Sequence, residues 1–140
     1  ERITLFIGDL AMLHDLNALA ALSKTAAPLV AVVLNNDGGG IFHQLPIATH
    51  PEVFSPYFDT PHGHEFGLAC RNFGLGYARA STRGAFAEAF AEARARPGPS
   101  VIEVATDRED THAVMAALRG LAHEVARELA PNLLSGVGVS

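Results

Sequence analysis

Two short apolar runs constrain the fold of this chain most strongly. Residues Leu29–Leu34 and Val101–Ala105 are almost continuously apolar and do not alternate between apolar and polar side chains. Strands of this composition are typical of parallel sheets, because helices cover both faces of such a sheet. Two further runs, Ile3–Ile7 and a weaker one near Tyr77–Ala80, complete a set of four predicted strands.

Helical patterns separate these runs. Strands that alternate with helices predict an α/β fold, with a mostly parallel sheet flanked by helices and right-handed crossovers. Thr82 is the predicted N-cap of the third helix. Apolar side chains recur at helical spacing in four segments: Met12–Lys24, Glu65–Phe73, Arg83–Arg96 and Glu109–Leu129.

The stretch from Gly40 to Gly63 fits neither pattern. It has no clear period, and four prolines recur through it. Structureless stretches of this length are uncommon in compact domains and usually act as lids or binding loops. We therefore predict a long binding loop directly after the second strand.

Composition and charge narrow the class of protein. The chain has 140 residues and a formal net charge of −5, which suits one domain and argues against binding to nucleic acid or an anionic membrane. We predict a domain over residues 1–130 and a frayed tail over residues 131–140. No apolar run approaches the roughly 20 residues that span a bilayer, and the single cysteine, Cys70, suits a reducing compartment. We expect a cytoplasmic protein without membrane insertion. Because the chain opens on Glu1 and not on Met, we also expect it to be a fragment.

Polar residues follow the first two predicted strands. The first strand ends in Gly8-Asp9-Leu10 and the second in Asn35-Asn36-Asp37-Gly38. Ligands of open parallel sheets bind outside the carboxyl ends of the strands, and the spacing leaves room for one helix and one returning strand. We expect the two ends to lie close together.

These residues offer oxygen ligands with little charge. Asp9 supplies a carboxylate, Asn36 an amide oxygen and the glycine turn a free carbonyl, a set that suits Mg²⁺ with water and phosphate as its other ligands. The predicted helix that starts near Ala11 points its N-terminus at the same place, which favours an anion. The sequence therefore predicts a metal and a diphosphate together, and Ile41-Phe42 would suit an apolar ring beside that diphosphate. The competing interpretation is simple turn chemistry, for which Asx-Gly clusters are common.

The pair G-D-x…N-N resembles the cofactor fingerprint of thiamine diphosphate enzymes. The resemblance extends to the C-terminal cofactor domain of the 2-succinyl-5-enolpyruvyl-6-hydroxy-3-cyclohexene-1-carboxylate (SEPHCHC) synthases, over about Ile3 to Val104. Leu10 departs from the superfamily's usual glycine but agrees with this branch. Four segments carry the similarity: G-D-L-A-M-L-H-D-L-N-A-L, A-P-L-V-A-V-V-L-N-N-D-G-G-G-I-F, the following L-P, and F-D-T-P-H-G-H-E-F-G-L-A.

The resemblance implies an incomplete thiamine diphosphate-binding fold and a role in menaquinone biosynthesis. The family reaction decarboxylates 2-oxoglutarate and adds the resulting unit to isochorismate. The implied cofactors are thiamine diphosphate and Mg²⁺, which Mn²⁺ can replace, and the implied assembly is a homodimer or homotetramer. In the family, the activating glutamate and most substrate-binding arginines lie in segments that this chain does not contain, so we assign no catalytic residue and expect the chain alone to be inactive.

The resemblance also implies roles for individual residues. The metal would be held by the side chains of Asp9 and Asn36 and by the Gly38 carbonyl. The implied cofactor-binding residues are Gly8 and Leu10 through their backbone at the phosphates, Asn36 through the metal, Ile41 and Phe42 against the cofactor, and Leu45 on the substrate side.

Other interpretations remain open at this point. The chain could belong to another thiamine diphosphate-dependent 2-oxo acid decarboxylase or carboligase, or be a non-catalytic domain that serves dimerisation. Asn35 and Asp37 are interpreted as turn residues, with Asp37 exposed. His62 and His64 are interpreted as a junction between loop and helix, not as a metal pair.

Overall fold

Four parallel strands form the sheet at the centre of the fold. The computed structural model describes residues 2–135 of the chain, and side chains as far as residue 129. The strands pair in the order β1-β2-β4-β3. Each differs from its predicted range by one residue at one end, which confirms the predicted α/β class: β1 Ile3–Gly8, β2 Leu29–Asn35, β3 Gly76–Ala80 and β4 Ser100–Ala105.

The sheet is buried on both faces where the sequence is continuously apolar. Successive side chains of a strand point to opposite faces, so Ala31 and Val33 enter one cluster, while Val30 and Val32 enter the other. The first cluster also contains Met12, Leu19, Phe66, Cys70, Leu75 and Val101. The second contains Ala93 and Ile102, with Phe86 and Phe90 packed against it.

The helix predicted over Met12–Lys24 is two helices. Helix α1 spans Asp9–His14 and α2 spans Ala18–Leu22. The backbone leaves the helical region at Asp15 (φ −114°, ψ 32°). Aspartate and asparagine side chains compete for backbone hydrogen bonds and favour turns, and Asp15 and Asn17 lie at this break. Because α1 starts earlier than predicted, Asp9 is its first residue.

The remaining helices of the first part of the chain follow the predicted pattern. Helix α4 spans Gly67–Asn72 and α5 spans Arg83–Ala95. Thr82 is the N-cap of α5, as predicted, since its Oγ1 accepts a hydrogen bond from the Ala85 backbone N–H at 3.2 Å.

The prediction of a structureless stretch over residues 40–63 is wrong for residues 40–59, whereas residues 60–63 form no helix or strand; the binding role stays a prediction. The stretch contains 3₁₀-helical segments, the short helix α3 and a π-helical turn, with a proline in the first turn of all but the first of them. Proline is well suited to that position because its missing N–H has no partner in the first turn anyway. Pro46, Pro51 and Pro56 therefore start helical segments, whereas Pro61 follows the last of these segments. The four segments are Gly40–Gln44, Pro46–Thr49, α3 Pro51–Phe54 and Ser55–Asp59.

Helix α6, Arg108–Ser135, lies in a second compact unit that begins at Arg108, while the sheet belongs to a first unit that ends at Asp107. The helix continues into the segment predicted to be a frayed tail, and residues 136–140 lie outside the described residues. The prediction of one domain over residues 1–130 stays a prediction. Within residues 2–135, no helix combines the length and the hydropathy that a bilayer span requires.

Candidate metal and cofactor site

The Asp9 carboxylate lies where the ends of β1 and β2 meet. Asp9 follows β1 directly and is only 3% exposed. Its Oδ1 accepts the Leu10 backbone N–H at 2.7 Å, and its Oδ2 accepts the Gly38 backbone N–H at 2.9 Å. The two strand ends are therefore in direct contact, as their positions in a parallel sheet predict.

The Asn36 carboxamide completes a cluster of polar atoms at this point. One of its terminal atoms lies 3.1 Å from Asp9 Oδ2 and 2.9 Å from the Gly38 carbonyl oxygen. If this atom is the amide nitrogen of Asn36, it donates to both oxygens. If it is the amide oxygen, three acceptor oxygens meet at one point, where they can bind a cation. Adjacent oxygens of an octahedral Mg²⁺ with Mg–O bonds of about 2.0–2.1 Å are roughly 2.9 Å apart. The donor types and the two distances from the Asn36 atom thus fit Mg²⁺.

This cluster differs from sites built on charged or imidazole ligands. Among the described residues, no group of three or more His, Cys, Asp and Glu side chains could hold a metal ion. The Asp9, Asn36 and Gly38 set instead combines one carboxylate, one amide and one carbonyl. Such a set leaves the cation with net positive charge, which favours a phosphate as a further ligand.

Two glycines allow the turn after β2 to lie against the segment that ends at Asp59. Gly38 has a φ of +124°, and a Cβ at this position would overlap the Asp59 carbonyl oxygen. A Cβ at Gly39 would overlap the Phe58 carbonyl oxygen. The Gly39 N–H donates to the Asp59 carbonyl oxygen at 2.7 Å, which closes this contact.

Asp37 is more than the exposed turn residue that we predicted. Its backbone is left-handed, with a φ of 63°, and its side chain is 49% exposed. However, its Oδ1 accepts the backbone N–H groups of His62 at 3.0 Å and Gly63 at 2.6 Å. Asp37 therefore ties the turn after β2 to the segment that precedes α4.

Asn35 has the predicted turn role and a second role as well. Its Oδ1 accepts the Asp37 N–H at 3.0 Å, which is an Asx-turn. Its Nδ2 donates to the His64 carbonyl oxygen at 3.0 Å and to Glu103 Oε1 at 2.8 Å. The residue beside the candidate metal ligand Asn36 is thereby anchored to the core.

Glu103 is a buried carboxylate that is not among the predicted site residues. It lies in β4 with no exposed surface, and its Oε2 accepts the Phe66 backbone N–H at 2.9 Å and the Tyr77 hydroxyl at 2.7 Å. Burial, together with the hydrogen bond to Glu103, raises the pKa of Tyr77 well above its ordinary value. A single charged residue inside an apolar strand was the available signal, because such a residue is almost never fully buried without partners.

His62 also belongs to the site, although we interpreted it as a junction residue. Its Nε2 lies 3.2 Å from Asp9 Oδ2, and its side chain is 9% exposed. Its neighbour His64 is exposed and stacks on the His62 ring with 5.4 Å between centroids. His62 is not part of a sequence motif with the residue spacing of a metal site. Only its proximity to Asp9 in the fold identifies it as a residue of the candidate site.

The predicted apolar cofactor contacts follow the glycine turn. Ile41 and Phe42 lie in the segment Gly40–Gln44, where Ile41 is 70% and Phe42 38% exposed, and Leu45, 46% exposed, follows. Gly8 is the N-cap of α1, while the Leu10 N–H donates to Asp9 Oδ1. Contacts of these five residues with a cofactor stay predictions.

Known proteins similar to this chain share its family and its fold. Residues 1–104 match the family model described as "Thiamine pyrophosphate enzyme, C-terminal TPP binding domain". The SEPHCHC synthase of Rubrobacter xylanophilus is 54% identical over 121 residues, which are 86% of this chain and 21% of that protein. The SEPHCHC synthase of Salinibacter ruber is 48% identical over 126 residues, which are 90% of this chain and 21% of that protein. The chain thus spans about a fifth of the length of these relatives.

Solved structures agree at the level of the fold. The thiamine diphosphate-dependent 4-hydroxybenzoylformate decarboxylase of Rhodococcus jostii has a TM-score of 0.62 and 25% identity, over 76% of this chain and 20% of that one. The benzoylformate decarboxylase of Polynucleobacter necessarius has a TM-score of 0.67 and 22% identity, over 77% of this chain and 20% of that one. The predicted resemblance to SEPHCHC synthases is confirmed by the relatives, and the chain belongs to the family of the C-terminal TPP-binding domain of thiamine pyrophosphate enzymes.

Proposed function

We propose that this chain is the cofactor domain of a SEPHCHC synthase, a transferase of menaquinone biosynthesis. The observation that carries the proposal is the convergence of Asp9, Asn36 and Gly38 at one point, in a chain of the TPP-binding family. Relatives with 54% and 48% identity bear the name of this synthase. The substrates of the complete enzyme are then 2-oxoglutarate and isochorismate, the assembly is a homodimer or homotetramer, and the location is the cytoplasm.

The candidate residues divide the binding of the cofactor between them. The side chains of Asp9 and Asn36 and the Gly38 carbonyl hold Mg²⁺ or Mn²⁺, and the backbone of Gly8 and Leu10 lies at the phosphates. The cofactor, when bound, supplies the electron sink for decarboxylation of a 2-oxo acid.

The apolar residues after the glycine turn have a separate part in this proposal. Ile41 and Phe42 cover the cofactor and exclude water, which keeps stray protons from the reacting centre. Their exposure in this chain leaves both side chains available for such a contact. Leu45 lines the side from which substrate approaches.

A second candidate is a related decarboxylase or carboligase with another substrate. The decarboxylase structures share the fold, but their identity to this chain is 22–25% and that of the synthases is 48–54%. A screen of 2-oxo acids with the complete protein separates the two, because the synthase requires 2-oxoglutarate. The third interpretation, a domain kept only for dimerisation, is opposed by the intact set of oxygen ligands.

Calorimetric titration of thiamine diphosphate into the full-length protein tests the site. With Mg²⁺ present we expect binding, and with the metal removed by EDTA we expect none. Asp9→Ala should abolish the metal-dependent binding, because it removes the charged ligand of the set.

Asp15→Ala is the matched control, since it removes an exposed carboxylate at the other end of α1. Its binding should equal that of the wild type. Binding that is independent of metal, or that survives Asp9→Ala, contradicts the assignment.

A further inference from the structure

The hydrogen bonds of the His62 ring define which of its nitrogens carries the proton. Nδ1 accepts the His64 backbone N–H at 2.9 Å. Since an acceptor nitrogen carries no proton, the proton of the neutral ring is on Nε2. Nε2 lies 3.2 Å from Asp9 Oδ2 and therefore donates to this carboxylate.

His62 is the third donor to Asp9 from a third segment of the chain. Leu10 donates from α1 and Gly38 from the turn after β2, both through backbone N–H groups. His62 donates from the segment before α4, through its side chain. Donors from three directions, one to Oδ1 and two to Oδ2, fix the plane of the carboxylate and hence the orientation that it presents to a cation.

His62 is itself held by the turn that carries the other two ligands. Its backbone N–H donates to Asp37 Oδ1, as does that of Gly63. Asp37 lies between Asn36 and Gly38 in the sequence. The backbone bond to Asp37 therefore connects His62 to these two candidate ligands, and the ring bond connects it to Asp9. Hydrogen-bonded partners of this kind orient metal ligands, and their loss typically weakens metal binding about 10- to 100-fold.

We propose that His62 is a positioning residue for the metal ligand Asp9. It contacts neither the cation nor the cofactor in this role, and acts by donating Nε2–H to Asp9 Oδ2. The inference rests on the proposed function, since it requires that Asp9 binds the metal.

Two substitutions separate the bond to Asp9 from the bond that holds the loop. Glutamine places its amide nitrogen near the position of Nε2, so His62→Gln keeps the donor to Asp9 and loses the acceptor for His64. Asparagine reaches only the position of Nδ1, so His62→Asn keeps the loop bond and loses the donor to Asp9. His64→Asn is the control for packing, because it keeps the backbone N–H that bonds to His62 and removes only the ring that stacks on it.

The measurement is the affinity for Mn²⁺, in the full-length protein with saturating thiamine diphosphate. The electron paramagnetic resonance signal of free Mn²⁺ reports the bound fraction, with thiamine diphosphate alone as the blank. We expect His62→Asn to weaken binding about 10- to 100-fold. His62→Gln should stay within about threefold of the wild type, and His64→Asn should match it. Melting temperatures in EDTA accompany each titration, so that a folding defect is seen separately.

Other outcomes overturn the inference. If His62→Asn binds Mn²⁺ as the wild type does, or if His62→Gln is the weaker of the two, His62 serves only the loop. Equal weakening by His64→Asn has the same meaning. If the wild type binds no more tightly than Asp9→Ala, the metal assignment itself fails, and this failure is distinct because it does not involve His62.

Discussion

Asn35, Asn36 and Asp37 are consecutive and chemically similar, yet their side chains have different partners. Asn35 bonds to Glu103 and His64, Asn36 faces Asp9 and Gly38, and Asp37 holds the backbone of His62 and Gly63. The reason is local, because successive side chains alternate in direction where β2 ends, and the left-handed backbone at Asp37 then turns the chain. One candidate ligand is thus held between two structural residues.

Cys70 should be inert in the folded protein. It is fully buried, and burial, with a smaller effect of the nearby Glu103 carboxylate, raises its pKa from 9.0 to about 11. At pH 8 we expect iodoacetamide to modify the thiol only after unfolding. The Cys70 thiol ionises near pH 9 in the unfolded chain and near pH 11 in the folded protein. Its contribution to the free energy of unfolding is therefore complete below pH 9 and is lost as the pH rises from 9 to 11.

Denaturant titrations between pH 8 and 11 measure this loss, with Cys70→Ala as the control. The variant should lose less stability over this range than the wild type. Rapid modification of the native wild-type protein at pH 8 would contradict the prediction.

At the scale of elements, the strands were predictable and the segments between them were less so. Continuous apolar runs define β2 and β4 because burial on both faces leaves little room for polar residues. The segment from Gly40 to Asp59 has no long period, since each of its helical segments is too short to show one. Its segments pack locally instead, with Phe58 against Phe54 at 6.1 Å and against Phe42 at 6.0 Å between centroids.

Glu103 connects the elements around the site, so we expect Glu103→Gln to destabilise the protein. The Glu103 carboxylate is the acceptor in its three short hydrogen bonds, whose donors are Asn35, Phe66 and Tyr77. The glutamine amide would place a donor against donors at a fully buried position, which should cost about 2–3 kcal/mol. Urea denaturation measures this difference.

Tyr77→Phe is the graded control for this substitution. It removes one hydrogen bond to the same carboxylate and keeps its charge, so a smaller loss of about 1 kcal/mol is expected. A Glu103→Gln protein as stable as the wild type would show that the buried charge contributes nothing to the fold.

At the scale of the molecule, the chain carries one part of the proposed active site. The described residues include the proposed metal ligands and the proposed apolar cover. By resemblance to the family, the activating glutamate and most substrate-binding arginines belong to other segments. The relatives are about five times as long as the matched region.

We therefore expect no turnover by the 140-residue chain on its own. Supplied with thiamine diphosphate and Mg²⁺, the chain should release no more carbon dioxide from 2-oxoglutarate than the cofactor alone releases in buffer. The full-length protein should release more. A coupled assay for carbon dioxide measures both, and the full-length Asp9→Ala variant serves as the inactive control. Decarboxylation by the chain alone would mean that it contains its own activating group.

The sequence by itself determined the parallel α/β sheet, the two strand ends that meet, and the candidate ligands Asp9, Asn36 and Gly38. These follow from local periodicity and from the rule that parallel strands end at the same edge. Only the tertiary structure decided that His62 bonds to Asp9, 53 positions away, and that Glu103 bonds to Asn35, 68 positions away. A buried polar group must find a partner, but the fold and not the neighbouring residues brings that partner within hydrogen-bond distance.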